Sequence, residues 1–501
     1  MPRAKYGIVG HRNNANIGDD IQVYATKLLL PSFDYLVDRE HIDSFRSKDG
    51  EPVAMITSAW WTWRKWNWPI ADCIIPHFIG FHYADHERAM QPGSPIGYES
   101  LSGEGMKYLK AYEPIGCRDN FTTETLQSMG VNAYFSGCIT LTLPKMPRKD
   151  LGKYICVVSM PADVTAKIKD MMKDSGIEVR VFNHKRDRDP DMPWSEREKF
   201  IKERLTIYQN AVCVVTRKLH CALPCLAMEV PVFLVKNVKD IRFYPYYDWM
   251  HHCTIKEFLA GKFEYDMKNP PANPTDYLPT REGLINSVKE FVSRVEGAGD
   301  HAEKLLRYKH NEKKFILWQT PMLEQTMAKW IQKLKDNLSE IYELQNEYRE
   351  LLEKNGLYTK TVAIAEVKPP MDLMEPDIEK DFRYNLSSAR FLKCGNIDYE
   401  YKKKFFKGKA YNEAKRNNER LRNAFDVMLE FTRDQKFEKT LLKDALTALK
   451  KDPGKEPEEI KKILEKLAKY RRMQKKLLKG TSLKLRPDYN DNDDFFARDD
   501  E

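Results

Sequence analysis

The sequence predicts an α/β protein with two doubly wound halves that face a cleft, followed by a helical C-terminal extension. Short apolar strands alternate with helical stretches through the first half of the chain, as in buried parallel sheets covered by helices on both faces. So many strands would make one open sheet unusually wide, which favours two sheets. Charge also divides the chain, because residues 1–300 carry a net +1 and residues 301–501 carry +8.

Strands and helices alternate in chain order in both predicted halves. In the first half we expect strands at 6–9, 53–57, 73–75 and 134–140, and helices at 21–30, 105–112 and 122–129. In the second half we expect strands at 154–158, 179–182, 212–215 and 231–235, and helices at 163–173, 195–209 and 220–228. Pro144 and the residues after it mark the break between the halves.

Shifts in composition predict the domain boundaries. We expect an N-terminal domain over 1–147, a C-terminal domain over 148–255, a connection over 256–300, a helical segment over 301–355, a linker over 356–400, a basic helical region over 401–489 and an acidic, disordered tail over 490–501. The basic region carries +14 over residues 401–490. We interpret residues 301–480 as solvated helices or as helices that make a coiled-coil contact with a protein. Binding of nucleic acid or of an anionic membrane is the less favoured alternative.

Composition excludes several classes of protein. Apolar residues make up 42% of the chain, which is too many for a mostly disordered protein. No apolar stretch is long enough for a membrane-spanning helix, and the apolar run near the N-terminus is too short for the core of a signal peptide, so we expect a cytoplasmic location. Nine cysteines without regular spacing predict reduced thiols. No cluster of ligands predicts a metal site, and we expect no metal and no cofactor.

A polar loop follows the first strand and leads into a helix. It contains Asn16, Gly18 and Asp19. Backbone N–H groups and the positive end of a helix bind anions at such a junction, which predicts a substrate contact. The alternative is that Asp19 only caps the helix.

Five of the nine tryptophans lie within residues 60–68. Their rings can stack on a sugar, or they can cover the core or a partner. We expect Trp60 and Trp61 to pack in the core, and the later ones, including Trp68, to be exposed. Trp63 and Trp66 are the candidates for contact with an acceptor sugar.

Three further segments place polar side chains in or just after strands, near the strand ends where ligands bind in open α/β sheets. Arg118 and Asp119 follow a short strand, and the alternative is a structural ion pair. Ser136 lies in a stretch of small residues that a ligand can approach. Arg217, Lys218 and His220 follow a buried strand, where two cations and an imidazole can hold an anion and supply a proton.

Together, four motifs resemble the polysaccharide pyruvyl transferase family. They lie at 16–20, 115–119, 135–141 and 217–220, the last with 227–232 downstream, and the likeness covers about residues 5–250. The resemblance implies two Rossmann-like domains in a glycosyltransferase-B-like fold, with the crossover helix in the 256–300 connection.

The resemblance implies an enzyme that transfers the pyruvyl unit of phosphoenolpyruvate (PEP) to sugar hydroxyls of a glycan or glycan precursor, as a ketal. His220 stands where the family has its acid. Lys218 stands where the family has an arginine, and Glu229 stands where it has a glycine. His184 lies where members commonly place another cleft histidine. The expected substrate-binding residues are Asn16, Gly18, Asp19, Arg118, Asp119, Ser136, His184, Arg217 and Lys218.

Two alternatives stay open at this point. One is a glycosyltransferase of the same fold that uses a nucleotide sugar. The other is an inactive glycan-binding or scaffold module whose helical tail recruits a partner.

Overall fold

In the computed structural model of the chain, Met1–His310 and Asn311–Glu501 form two compact units. The residues that the structure describes are 4–11, 14–61, 68–83, 101, 103–147, 153–186, 192–237, 241–309, 336–337, 339–341, 343–344, 346–348, 350–356, 435, 439–440 and 442–453.

A four-stranded parallel sheet forms the first part of unit 1. Its strands are β1 (Lys5–Gly10), β2 (Tyr35–Asp38), β3 (Val53–Ile56) and β5 (Ile74–His77), in the order β2-β1-β3-β5. Two parallel pairs accompany it, β4 (Trp60–Trp61) with β6 (His82–Tyr83) and β7 (Ile115–Cys117) with β8 (Ala133–Phe135). The helices are α1 (Ile17–Lys27), α2 (Gly103–Ala111) and α3 (Asn120–Ser128).

A five-stranded parallel sheet forms the second part. Its strands are β9 (Tyr154–Val158), β10 (Glu178–Phe182), β11 (Val214–Thr216), β12 (Val232–Val235) and β13 (His251–Cys253), in the order β10-β9-β11-β12-β13. Its helices are α4 (Ala162–Met172), α5 (Trp194–Gln209), α6 (Leu219–Ala227) and α7 (Ile255–Ala260). The long helix α8 (Leu278–Ala298) follows. The mixed α/β class with parallel sheets is therefore confirmed.

One continuous core joins residues from both sheets. Ile21 of α1, Tyr208 of α5, Leu226 of α6 and Leu284 of α8 all belong to it and are at most 2% exposed. A second cluster, which includes Val157, Ile168 and Phe233, covers the other face of the five-stranded sheet. Each sheet lies on its own side of residue 148, but the domain boundaries stay a prediction.

Three local predictions differ from the structure. Helix α1 begins at Ile17 rather than near 19–21, because the Asn16 side chain caps it by accepting from the Gly18 N–H at 3.2 Å. Strands β2, β4, β6 and β13 were not predicted. The predicted strand 134–140 ends at Phe135, because Gly137 has φ +78° and a 3₁₀ turn, Ile139–Thr142, follows.

Trp68 was predicted to be exposed, and this is wrong. Its side chain is fully buried, and its ring packs against Trp61, Phe78, Phe81 and Tyr108 at centroid distances of 5.3–6.0 Å. The burial of Trp61 is as expected. Trp63 and Trp66 lie outside the described residues.

The described part of unit 2 contains helical residues within 336–354 and 435–451. Glu340 pairs with Lys443, and Glu347 pairs with Lys450, so both segments advance by seven residues between these contacts. The two segments therefore run parallel, with Tyr348, Leu352, Leu446 and Leu449 buried between them. The predicted linker, the acidic tail and most of the basic region lie outside the described residues.

Candidate functional site

Polar side chains converge where strands of both sheets end. His11 follows β1, Arg118 follows β7, His184 follows β10, and His220 lies in the first turn of α6, just after β11. The carboxyl ends of parallel strands are where open α/β sheets bind ligands. We therefore take the surroundings of His220 as the candidate site.

His220 lies between the two halves of unit 1. Its Nε2 is 3.5 Å from Nη1 of Arg118, and its Nδ1 is 3.4 Å from Nε2 of Gln22 on α1. The ring is half-buried. A methyl group at Gly18 would come within 2.7 Å of the His220 Cβ, so only glycine lets α1 approach the imidazole this closely.

Asp19 does not cap α1, since Asn16 does. Its carboxylate accepts hydrogen bonds from Nδ2 of Asn14 and, at 3.3 Å, from Nε2 of Gln22. Burial and the neighbouring charge of Asp20 raise the pKa of Asp19 to about 6, against the opposing charges of Arg39 and Arg118. A carboxylate with this pKa is able to exchange a proton near neutral pH.

The imidazoles around the site are held neutral. Burial, with the charges of Arg118 and Arg242, places the pKa of His220 well below its ordinary value. Burial and the charge of Lys218 lower the pKa of His184 to about 3. An anion bound among these groups would reverse the effect of the cations and raise the pKa of His220.

A cluster of cations surrounds Lys218, and we call it the cation cluster. It consists of Lys185, Arg217, Lys218, Lys236 and Arg242, which follow β10, β11 and β12. Partial burial of the ammonium group and the charges of the four other cations lower the pKa of Lys218. Arg217 and Lys218 are exposed, so the cluster forms an accessible positive edge.

Asp119 and Ser136 have structural contacts. Asp119 is fully buried, accepts from Nδ1 of His82 and caps α3 by accepting from the Thr122 N–H at 2.9 Å. Burial alone would raise the pKa of Asp119, but His82, Arg118 and the cap lower it to about 2. Ser136 accepts from the Gly80 N–H and donates to the Cys117 carbonyl. Both side chains therefore brace the strand end that carries Arg118.

The structure brings most of the predicted site residues together. Asn16, Gly18, Asp19, Arg118, His184 and His220 converge, and Lys218 and Arg217 lie in the cation cluster. Sequence reasoning missed His11, Gln22, Lys185, Lys236 and Arg242. The signal for Gln22 was its spacing, because it lies four residues after Gly18 and therefore on the same face of α1. In the described part of the chain, no three His, Cys, Asp or Glu side chains are grouped so as to hold a metal.

The part of unit 1 that carries this site is similar to a known protein family. Residues 16–238 match the family model for polysaccharide pyruvyl transferase. This segment is similar to the polysaccharide pyruvyl transferase family. The match covers less than half of the 501 residues and lies wholly within unit 1. Among the curated proteins, none is similar enough to this chain to count as a relative.

The match confirms the resemblance drawn from the four motifs, and the family that it names is one of transferases. The departure at Glu229 concerns the backbone. Glu229 has φ +58°, a conformation that favours glycine, and it lies just beyond the end of α6 opposite His220. Its exposed side chain pairs with Lys145. None of the described helices is both long and apolar enough to cross a membrane.

Proposed function

We propose that this protein transfers the pyruvyl unit of PEP to hydroxyls of a glycan or glycan precursor, with His220 as the acid. The observation that carries the proposal is the position of His220, between Arg118 and the N-terminal turn of α1 and beside the cation cluster. We further propose that the two sheets belong to two Rossmann-like domains in a glycosyltransferase-B-like arrangement, and that the protein works in the cytoplasm.

The donor matches the charge of the site. PEP carries a carboxylate and a phosphate, and cations hold such groups by charge-assisted hydrogen bonds. Arg118 supplies a buried guanidinium and Lys218 supplies an ammonium. Lys218 binds as a point charge where an arginine would bind with a fork of two donors. The N-terminus of α1, at Asn16 and Gly18, adds the positive end of a helix dipole beside these cations.

The reaction proceeds through protonation of the donor. His220 gives its proton to the methylene carbon of PEP, the double bond is lost and C2 becomes electron-poor. A sugar hydroxyl attacks C2 and loses its proton, and the C2–O bond to phosphate then breaks. Attack by a second hydroxyl completes the ketal and releases a second proton. We propose that Asp19, whose pKa is about 6, receives a proton from a hydroxyl.

Titration calorimetry and phosphate release on the full-length protein test the proposal. We expect PEP to bind the wild type and His220→Gln with dissociation constants within about threefold of each other. With a glycan acceptor, phosphate release by His220→Gln should fall by about 10²–10⁴-fold, the usual contribution of a positioned acid. His301→Gln is the matched control, because His301 is an exposed histidine beyond α8.

Other ligands in the same titration separate the alternatives. Binding of a UDP- or GDP-sugar without binding of PEP would favour a glycosyltransferase. Binding of glycan alone would favour a glycan-binding module. Full turnover by His220→Gln would refute the role of His220.

A further inference from the structure

The 3₁₀ segment Ile241–Trp249 follows β12 in the second half of unit 1 and reaches across to the first half. Near its start, the centroid of the Phe243 ring lies 4.2 Å from the ammonium group of Lys236 in the cation cluster. Further along, the ring centroids of Tyr246 and of Phe135, at the end of β8, are 6.0 Å apart. The segment therefore connects the cation cluster with the strand pair β7–β8 of the first half.

Tyr246 holds the backbone of Arg118. The side chain of Tyr246 is fully buried, and its hydroxyl donates to the Arg118 carbonyl at 2.5 Å. A carbonyl only accepts, so the phenol must keep its proton, and burial raises the pKa of Tyr246 well above its ordinary value. The Arg118 N–H in turn donates to the Phe81 carbonyl at 2.8 Å. Both peptide groups of Arg118 are therefore fixed, one from each half of unit 1.

The side chain of Arg118 contacts the candidate acid. Its Nη1 lies 3.5 Å from Nε2 of His220. A guanidinium only donates, and a protonated imidazole also only donates, so an anion beside the two groups is able to accept from both. Such recognition depends on the direction of the planar guanidinium as well as on its charge. A movement of the Arg118 backbone would therefore turn these donors away from the anion.

We propose that Tyr246 is a positioning residue that fixes Arg118 for the binding of an anion beside His220. Tyr246 acts through Arg118, because its side chain is fully buried and its hydroxyl is engaged with the Arg118 carbonyl. Only the identification of the anion as PEP rests on the proposed function.

Tyr246→Phe separates the hydroxyl from the ring. The variant keeps the aromatic packing and removes the donor to the Arg118 carbonyl. Titration calorimetry of the full-length protein with inorganic phosphate and with PEP measures anion binding. We expect both dissociation constants to rise by about 3–10-fold, the equilibrium equivalent of about one hydrogen bond, because binding must then order a strand end that the hydroxyl no longer holds.

A second buried tyrosine, outside the site, is the matched control. Tyr277 is 3% exposed, and its hydroxyl donates to the Leu226 carbonyl at 3.0 Å. Tyr277→Phe therefore removes a hydrogen bond of the same kind and should lower Tm to a similar extent. It should leave both dissociation constants within about twofold of the wild type. Equal weakening of anion binding by the two variants would show that Tyr246 acts only through general stability.

A double-mutant cycle tests whether the effect passes through Arg118. Arg118→Gln removes the guanidinium and should weaken binding of both anions by about tenfold or more. In this background, Tyr246→Phe should change binding of either anion by less than about twofold, because the side chain that it positions is absent. An effect of Tyr246→Phe that is the same with and without the guanidinium would overturn the inference, and so would anion binding in Tyr246→Phe that equals that of the wild type.

Kinetics connect the anion with the proposed reaction. With a glycan acceptor, Tyr246→Phe should raise KM for PEP by about 3–10-fold and change kcat less than threefold, because Arg118 binds the donor in the ground state and in the transition state alike. Coupling of Tyr246 and Arg118 in phosphate binding, without any turnover of PEP, would count against the proposed function alone. Turnover with an unchanged KM in Tyr246→Phe would count against the role of Tyr246 alone. A wild type that binds neither anion would exclude both.

Discussion

At the scale of one residue, the site contains a carboxylate, Asp19, whose charged form is disfavoured by burial. Its carboxylate is half-buried in the first turn of α1. Burial and Asp20 raise its pKa to about 6 from the 3.8 of an unfolded chain. The raised value means that folding disfavours the charged form. At pH 8 the carboxylate is nevertheless ionised, so it lowers the stability of the folded protein.

We therefore expect Asp19→Asn to stabilise the protein at pH 8 by roughly 1–3 kcal/mol, the energy equivalent of the raised pKa. The gain should shrink as the pH falls through about 6 toward 4, because Asp19 then becomes protonated and neutral in the wild type. Urea unfolding at a series of pH values measures it. Asp163→Asn, in the first turn of α4, is the control and should shift stability by less than about 1 kcal/mol. A gain that is independent of pH would contradict this account of Asp19.

The sequence pattern identified the residues of the candidate site that follow strands, and it missed those that reach the site only through the packing of α1. His220 and Arg118 were found because strand ends are visible in the apolar pattern, and Gly18 because it lies in a polar loop before a helix. Gln22 and His11 contact the site only once α1 packs between the halves, which no local pattern reveals. Trp68 was misjudged because its burial depends on α2 and on Phe78, which are distant in sequence.

At the scale of elements, α1 is tied to the segment that follows β10. Asn16 forms an antiparallel bridge with Lys185, the Arg186 N–H donates to the Ala15 carbonyl at 2.9 Å, and the Ile17 N–H donates to the His184 carbonyl at 3.4 Å. These contacts hold the N-terminus of α1 against the five-stranded sheet. Gly18 and His220 are brought together by this docking, which preorganises the site.

A buried ion pair secures the same docking. Nε of Arg186 lies 2.7 Å from Asp20, and both side chains are 2% exposed. Arg197 lies 3.7 Å from the same carboxylate and also donates to the His11 carbonyl. Burial raises the pKa of Asp20, and the two guanidinium groups oppose that rise. Removing one of them leaves a poorly compensated charge in the interior.

Arg186→Met should therefore lower the free energy of unfolding by about 3–5 kcal/mol at pH 8. The loss should become smaller as the pH falls, because protonation of Asp20 removes the orphaned charge. Chemical unfolding at pH 8 and pH 5 measures both effects. Arg180→Met is the matched control, since Arg180 pairs with Glu178 on the exposed edge of β10 and should contribute about 1 kcal/mol or less. Equal losses for the two variants would show that the buried pair has no special role in docking.

At the scale of the whole molecule, the site and the family match both lie within unit 1. Unit 1 does not end with helix α8. Beyond it, Ala302 is buried, Leu305 and Leu306 pack against the core, and the Tyr308 ring lies 5.4 Å from that of Tyr108. The 3₁₀ segment Gly299–Leu305 and the residues just after it are therefore part of the folded unit. The change in charge near residue 300 precedes the end of the fold by about ten residues.

The position of a truncation should accordingly decide whether unit 1 folds. A chain that ends at residue 310 keeps these contacts, and we expect it to bind PEP like the full-length protein and to unfold cooperatively. A chain that ends at residue 298 exposes the surface covered by Ala302, Leu305 and Leu306. At about 1.5–3 kcal/mol for each large apolar side chain, it should lose roughly 3 kcal/mol or more, which lowers the Tm of a unit of this size by about 5 °C or more. Calorimetry of the two proteins measures the difference in Tm.

The double variant Leu305→Ala/Leu306→Ala in the full-length chain separates the loss of packing from the effect of chain length, and it should reproduce much of the fall in Tm. If both truncated chains have the same Tm as unit 1 in the full-length protein, residues 299–310 do not belong to the folded unit, and its boundary lies at the end of α8.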